Sequence, residues 1–446
     1  MPEAETVIRG ALVVTPSGAR QADVLVEGES IAAVELHIDP CGAVDVDASG
    51  LVLFPGLVDA HVHFNDPGRE DWEGMETGSM ALAAGGGTCF IDMPLNSDPP
   101  VLDRETFRAK RAKGELVSRL DFALWGGLTP DSLGHLEAMA EEGAIGYKAF
   151  MCPSGIGEFA AADVRTLKTG MERAAALNLV VAVHAEDPEF IERHNQTHPP
   201  ARPGTMRDWA RSRPPEAESR AITMAVEIAG ETGCRLHIVH VSSPEGLEAA
   251  LKGRTAGVDL TVETCPHYLL LDDQDAARIG IPAKCAPPIR DRARVQALWE
   301  ALAGGTIDTL GSDHSPAPPA MKEGLDVFEA WGGIAGCQHG WPLLLDPDLP
   351  SLPWERWADV WAGKPATRFG LGSRKGAIAP GFDADFCLMA PASATIRAED
   401  LLYRHPVSPY VGKSLAWTVR QTWSRGKPVG PLSRGRFLRP QIPSRS

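Results

Sequence analysis

Between residues 55 and 370, apolar runs of six or seven residues alternate with longer stretches of mixed polarity. The runs fall at 57–63, 88–93, 120–125, 145–150, 179–184, 235–241, 258–264 and 307–313. The intervening sequence suits helices at 71–84, 103–113, 130–142, 163–177, 215–232, 243–252 and 291–303, with an eighth inside 354–363. Strand followed by helix, repeated, argues for parallel strands. Eight repeats predict an α/β fold, a (β/α)8 TIM-like barrel, in preference to a doubly wound open sheet. The flanks differ. Val7-Ile8, Leu12 to Val14, Val24 to Val26 and Ile31 to Val34 are short β-type segments with no helix between them. A similar pattern returns at 376–391 and 415–429. The termini are therefore expected to build one small β-sandwich domain, 1–54 plus 371–446, around a barrel at 55–370.

Composition narrows the picture. The 446-residue chain carries a net charge of −16 and no basic run, which argues against nucleic acid as a partner. No apolar run approaches the ~20 residues of a membrane span. The start, MPEAETVIRG, lacks a charged-then-apolar leader. Eight cysteines are scattered without a CxxC pair, so reduced thiols and a cytoplasmic location are expected. Gly85 to Gly87 follow a predicted helix and precede a strand. Phosphate loops have the opposite order, so these glycines read as a helix end and a turn. The stretches after the fifth and eighth strands, 185–214 and 314–352, read as long loops on the barrel's C-terminal face. Active sites are built on that face.

Ligand-type residues recur where the predicted strands end. The first ends in His61 and His63, the fourth carries Lys148, the fifth ends in His184, the sixth in His240 and the eighth in Asp313. Any one of them has an ordinary explanation: a hydrogen-bonded core histidine, a snorkelling lysine, a helix cap. Six on five strands, all at one mouth, point to a metal centre, because neutral imidazole and carboxylate suit divalent transition ions. His237 has the wrong parity to share a face with His240 and reads as structural. His194 and His198 read as solvated.

With these residues the chain resembles the cyclic amidohydrolases over nearly its whole length, including the flank motif GAIAPGFDADF. The resemblance implies two divalent metal ions, zinc foremost, with cobalt, manganese or nickel as substitutes. It implies that His61, His63 and Asp313 hold one ion and His184 and His240 the other. Lys148, carboxylated by carbon dioxide, would bridge both. A metal-bridging hydroxide would attack a ring amide carbon, with Asp313 as general base and then acid. The resemblance further implies a homodimer or homotetramer and a small cyclic amide as the only other partner, with neither nucleic acid nor membrane.

Three branches share that ligand set. Dihydroorotases place Arg two residues after the second His and His four residues after the Asp, to hold a substrate carboxylate. Here Asn65 and Ala317 stand there, although Arg69 could compensate. Hydantoinases and dihydropyrimidinases place Tyr five residues after the Lys; here it is Pro153. HVHFNDPGREDWEG, DMPLNSDPP, KAFMCPSG, KCAPPIRD, GSDHSP and GGIAGCQ are similar to the allantoinase branch. That branch implies hydrolysis of the hydantoin ring of allantoin to allantoate. Dihydroorotase or hydantoinase activity is the alternative, and a non-catalytic scaffold the remote one. Asn96, Asn65, Cys285 and Gly333 are the expected substrate-binding residues, the last two through main-chain groups. Cys152 lies near the site but is not expected to be a nucleophile.

Overall fold

The first five strands belong to the flank: β1 (Thr6–Thr15), β2 (Gly18–Glu27), β3 (Ser30–Glu35), β4 (Val44–Asp47) and β5 (Val52–Pro55). The structure, a computed structural model, describes residues 5–39 and 42–441. The outermost parts of the segments assigned to the small domain (1–4 and 442–446), and Cys41, lie outside the described residues. The barrel strands follow in the middle of the chain: β6 (Leu57–Val62), β7 (Gly87–Asp92), β8 (Asp121–Leu124), β9 (Gly126–Gly127), β10 (Gly146–Phe150), β11 (Val180–His184), β12 (Arg235–Ile238), β13 (Leu260–Thr264) and β14 (Thr309–Leu310). Each predicted run overlaps its strand to within a residue or two, because parallel strands covered on both faces read as unbroken apolar sequence. β6, β7 and β8 pair in parallel, as do β9 through β14. β8 and β9 are one barrel strand interrupted at Trp125. The ring closes at a parallel bridge between Val62 and His314, where His63 N donates to His314 O at 2.8 Å.

The helices lie between the strands as expected, and several starts are fixed locally. Asp103, Asp163, Ser243 and Asp291 each accept a hydrogen bond from a backbone N–H in the first turn of the helix that follows. Two expectations are corrected. The stretch 185–214 is not a plain loop: it holds helices Pro188–Thr197 and Met206–Ser212, each capped by its preceding Asp187 or Thr205. Residues 376–385 are turns, because Gly376 and Gly381 take positive φ there, and the strand starts only at Phe386. Among the described residues no helix is long and apolar enough to cross a membrane.

The last strands return to the first: β15 (Phe386–Thr395), β16 (Ser414–Ser424) and β17 (Lys427–Pro428). Among the described residues they join β1 to β5 in one eight-stranded sheet, with β5 between β15 and β1. This β-sandwich has its own core, in which Ile8, Val13, Val24 and Leu53 pack with Phe386, Leu388 and Trp423. The tail then crosses to the barrel. Phe122 N donates to Arg436 O at 2.9 Å and Leu438 N to Phe122 O at 2.7 Å. Gly435 makes that approach feasible, since a Cβ there would lie 1.7 Å from Leu120 O.

A buried ion cluster links the two parts. Lys375 Nζ lies 2.7 Å from Asp121 of β8, 2.8 Å from Asp383 and 2.6 Å from Asp385. The ammonium is nearly inaccessible and so are the carboxylates. Removing one member of such a cluster strands the others without solvent. Lys375→Met should therefore lower unfolding free energy by about 3–5 kcal/mol, read in denaturant melts. A variant as stable as wild type would show the cluster to be dispensable.

Candidate metal centre

Each proposed ligand stands at the C-terminal end of a barrel strand. His61 lies in β6, Lys148 in β10, and His184 ends β11. His63 follows β6, His240 stands two residues past β12, and Asp313 three past β14. His240 and Asp313 have positive φ, 41° and 45°. Residues with a Cβ seldom adopt that conformation, and it gathers at functional sites. Here it turns the chain at the strand end and brings both side chains over the mouth. It also breaks the alternation used to set His237 aside. His237 is fully buried, bonds Thr261 Oγ1 at 2.8 Å and approaches Glu263 Oε2 at 3.5 Å.

The six residues converge. His61 Nε2 and His63 Nε2 lie 3.2 and 3.4 Å from one Asp313 oxygen. The His240 ring is 5.3 Å from that of His61 and 4.7 Å from that of His184. Lys148 is fully buried beside them, 5.1 Å from the Phe150 ring. Two carboxylates not anticipated from the sequence orient the imidazoles. Glu263 Oε1 bonds His61 Nδ1 at 2.7 Å, leaving Nε2 for the mouth. Glu186 Oε2 bonds His184 Nε2 at 2.8 Å, Cys152 lies against the same imidazole, and Arg213 clamps Glu186 from behind. A glutamate inside the apolar run 258–264 was the available signal for Glu263. Glu186, two residues beyond a proposed ligand, offered a weaker one.

Around Asp313 the electrostatics suit a cation, whereas burial at His184 is outweighed by Cys152 and Glu186, which push its imidazole up to about 9. Burial pulls the Lys148 amine down to about 8. Burial raises the Asp313 carboxyl, but His61, His63 and His240 more than offset it and hold the group well below its usual range. Burial likewise opposes ionisation of Glu263, yet His61 and His237 bring it to about 2. His63 Nδ1, His240 Nδ1 and Lys148 Nζ are buried with no hydrogen-bond partner among the described residues. Buried polar atoms are rarely left so, and imidazole nitrogens beside a carboxylate form a set that divalent transition ions take. His61, His63 and Asp313 are spaced to hold one ion. The residues therefore fit a metal centre.

These groups open into a small cavity, about 80 Å³, also lined by Leu95, Asn96, Phe150, Ser154, Cys285, Ala286, Ser315 and residues 331–333. Three expectations change here. Asn65 is fully buried and does not line the cavity. Gly333 lines it, but its N–H donates to Lys284 O and its carbonyl accepts from Lys322, each at 2.7 Å. A Cβ at Gly333 would lie 2.1 Å from Ser315 O, so the close approach requires glycine. The Cys285 carbonyl accepts from Trp209 Nε1 at 2.8 Å. Both main-chain groups at 333, and the carbonyl at 285, are thus engaged within the structure. Asn96 does reach the cavity, its amide 3.5 Å from Ser315 Oγ. Arg69 does not: its guanidinium lies over Trp72 and near Glu158. Trp331, Ser315 and Ser154 come from loops and were not singled out from the sequence.

Residues 52–429 match the amidohydrolase family. Proteins named allantoinase from Rubrobacter xylanophilus and Solibacter usitatus are 47% and 48% identical, over 98% of this chain and 98% and 97% of theirs. Among solved structures, the L-hydantoinase (dihydropyrimidinase) of Arthrobacter aurescens matches with a TM-score of 0.91 at 32% identity, over 98% of both chains. The dihydropyrimidinase of Brevibacillus agri matches at 0.88 and 29%, over 99% of this chain and all of that one.

Carboxylates behind a metal-binding histidine fix its tautomer, and their loss typically costs 10–100-fold in metal affinity. Glu263→Gln should weaken zinc binding by about that factor, measured by competition with a chelator. Undiminished affinity would remove Glu263 from the centre.

Proposed function

The chain belongs to the amidohydrolase family, and we propose that it hydrolyses the hydantoin ring of allantoin to allantoate. The observation that carries the reading is the mouth itself. Two imidazoles meet one ionised carboxylate beside a buried lysine, and no Arg or Lys is among the described residues lining the cavity. An uncharged ring suits that lining, whereas a ring bearing a carboxylate would find no Arg or Lys side chain to pair with. The relatives named allantoinase support the same substrate.

Two divalent cations, with His61, His63 and Asp313 on one side and His184 and His240 on the other, would polarise the ring carbonyl and make an ionised water available near neutral pH. The rest falls to the chain. Lys148 as an ammonium would repel both cations. Its neutral amine can attack carbon dioxide, releasing a proton and leaving a carbamate anion whose oxygens would help to hold the cations. Asp313, held ionised, takes the proton of the attacking water and passes it to the leaving ring nitrogen. The carbonyl carbon to nitrogen bond breaks, the carbon becomes a carboxylate, and the nitrogen leaves in a ureido group. Phe150 and Leu95 keep bulk water from the reacting carbonyl.

The test is a parallel ring-opening assay on allantoin, dihydroorotate, hydantoin and dihydrouracil, with zinc and bicarbonate supplied. Allantoin should be the preferred substrate, and Asp313→Asn should lower kcat by at least about 10²-fold. Preference for dihydroorotate would overturn the reading. The lysine can be tested separately. Because the reactive form is the neutral amine, carbamate formation in metal-free protein should increase as pH rises through about 8. Carbon-13 bicarbonate would report it by NMR, and Lys148→Ala should show no such signal. A signal that persists in the variant would place the carbamate elsewhere.

A further inference from the structure

His314, the residue after Asp313, is fully buried, and each of its polar atoms is engaged. Its N–H donates to Ser312 Oγ at 3.2 Å and its carbonyl accepts from His63 N at 2.8 Å. The Gly336 N–H donates to its Nδ1 at 3.2 Å, which places the ring proton on Nε2. That edge meets Glu73 Oε2 at 3.3 Å, and Glu73 is buried with it. Bridges to Val62 on one side and Ile334 on the other complete the hold.

Glu73 is held in turn from outside the barrel. Its other oxygen accepts from Thr77 Oγ1 and, at 3.1 Å, from Arg404 N. Arg404 belongs to the connection between β15 and β16, so the small domain reaches the barrel loops here. The same connection lays the Tyr403 ring 4.9 Å from that of His314. The Tyr403 hydroxyl accepts from Gln338 N at 3.0 Å, and the Ser408 hydroxyl donates to Ala335 O at 2.7 Å.

Asp313 needs such a hold. Its positive φ costs a residue with a Cβ about 1–3 kcal/mol and persists only where the surroundings over-determine it. On the other side of it, Ser312 N donates to Asp59 Oδ1 at 3.1 Å. A general base works only within hydrogen-bond reach of the proton it takes, so the backbone that carries it must stay in place.

Resting on the reading of Asp313 as the base, we infer that Glu73 is a positioning residue for it, acting through the His314 imidazole. Glu73 does not line the cavity. It fixes the tautomer and plane of His314, and with them the backbone from which Asp313 projects. Through Arg404 N the small domain thereby takes part in the catalytic geometry.

The test is a double-mutant cycle between Glu73→Gln and Asp313→Asn, with zinc saturating and the ring that the protein opens fastest. Glu73→Gln keeps the shape but puts an amide NH₂ where one carboxylate oxygen accepted. Alone it should lower kcat about tenfold with KM within about twofold, because a misplaced base is felt in the transition state. In the Asp313→Asn background it should cost less than about twofold, since the group it positions is already gone. Chelator competition reads the same coupling without turnover. Glu73→Gln should weaken zinc binding about tenfold, but less than about twofold in the Asp313→Asn background. If Glu73→Gln folds poorly, His314 answers the question. His314→Gln, whose amide reaches Glu73, should retain most of the wild-type kcat, and His314→Asn, whose amide does not, should lose about tenfold. Losses that multiply in the cycle, or equal kcat in the two His314 variants, would overturn the inference while leaving Asp313 as the base. Wild-type kcat in Asp313→Asn would instead remove the base, and this inference with it.

Discussion

An amine buried at the centre of the barrel, with no counter-ion at hydrogen-bond distance among the described residues, is the constraint on which the mouth depends. Burial alone brings Lys148 within reach of neutrality near physiological pH. The same desolvation opposes ionisation of Asp313, and only the imidazoles around it reverse that. Neither group has a settled charge without the other occupants of the site. The parallel strands impose this. They are covered on both faces, so a polar side chain at their ends has little water to fall back on. The fold thus supplies a dry place where charges must be balanced from within.

Much of this was legible in the sequence, for physical reasons. Buried parallel strands leave continuous apolar runs, so all eight barrel strands could be located. The flanking sheet was legible because β1, β2 and β3 show short β-type segments with a turn and no helical period. The proposed ligands stood out because each is polar at or near the end of an apolar run. What was not legible depends on the chain folding back on itself. Glu263 and Glu186 matter only through the imidazoles they touch. Whether the Gly333 and Cys285 backbones are free depends on Lys284, Lys322 and Trp209, all remote in sequence or on other loops. The positive φ at His240 and Asp313 leaves no mark in residue type, since neither is glycine. Trp331 was missed for a related reason: a tryptophan in a loop has no period to break.

The loops also explain why substrate choice is harder to read than chemistry. The proposed metal ligands sit on rigid strand ends, and their geometry follows from the barrel. The walls of the cavity come from several connections, and each is fixed by its own set of hydrogen bonds to distant carbonyls. Lys322 and Lys284 hold the segment around residues 330–333, while Asn96 and Ser315 meet across two other turns. A substitution in any of these supports would move a wall without touching a ligand.

The return of the tail to β8 has a consequence for how the protein is made. Hydrogen bonds at Phe122 and at Asp121 come from Arg436 and Leu438, some three hundred positions later in the chain. The ribosome releases the first barrel strands long before that tail exists. Until residues 435–438 have been made, β8 has an open edge and Asp121 lacks the Arg436 amide. Before then that edge is open to pairing with a neighbouring nascent chain. Docking of residues 435–438, rather than closure of the eighth strand, is what ends that vulnerability.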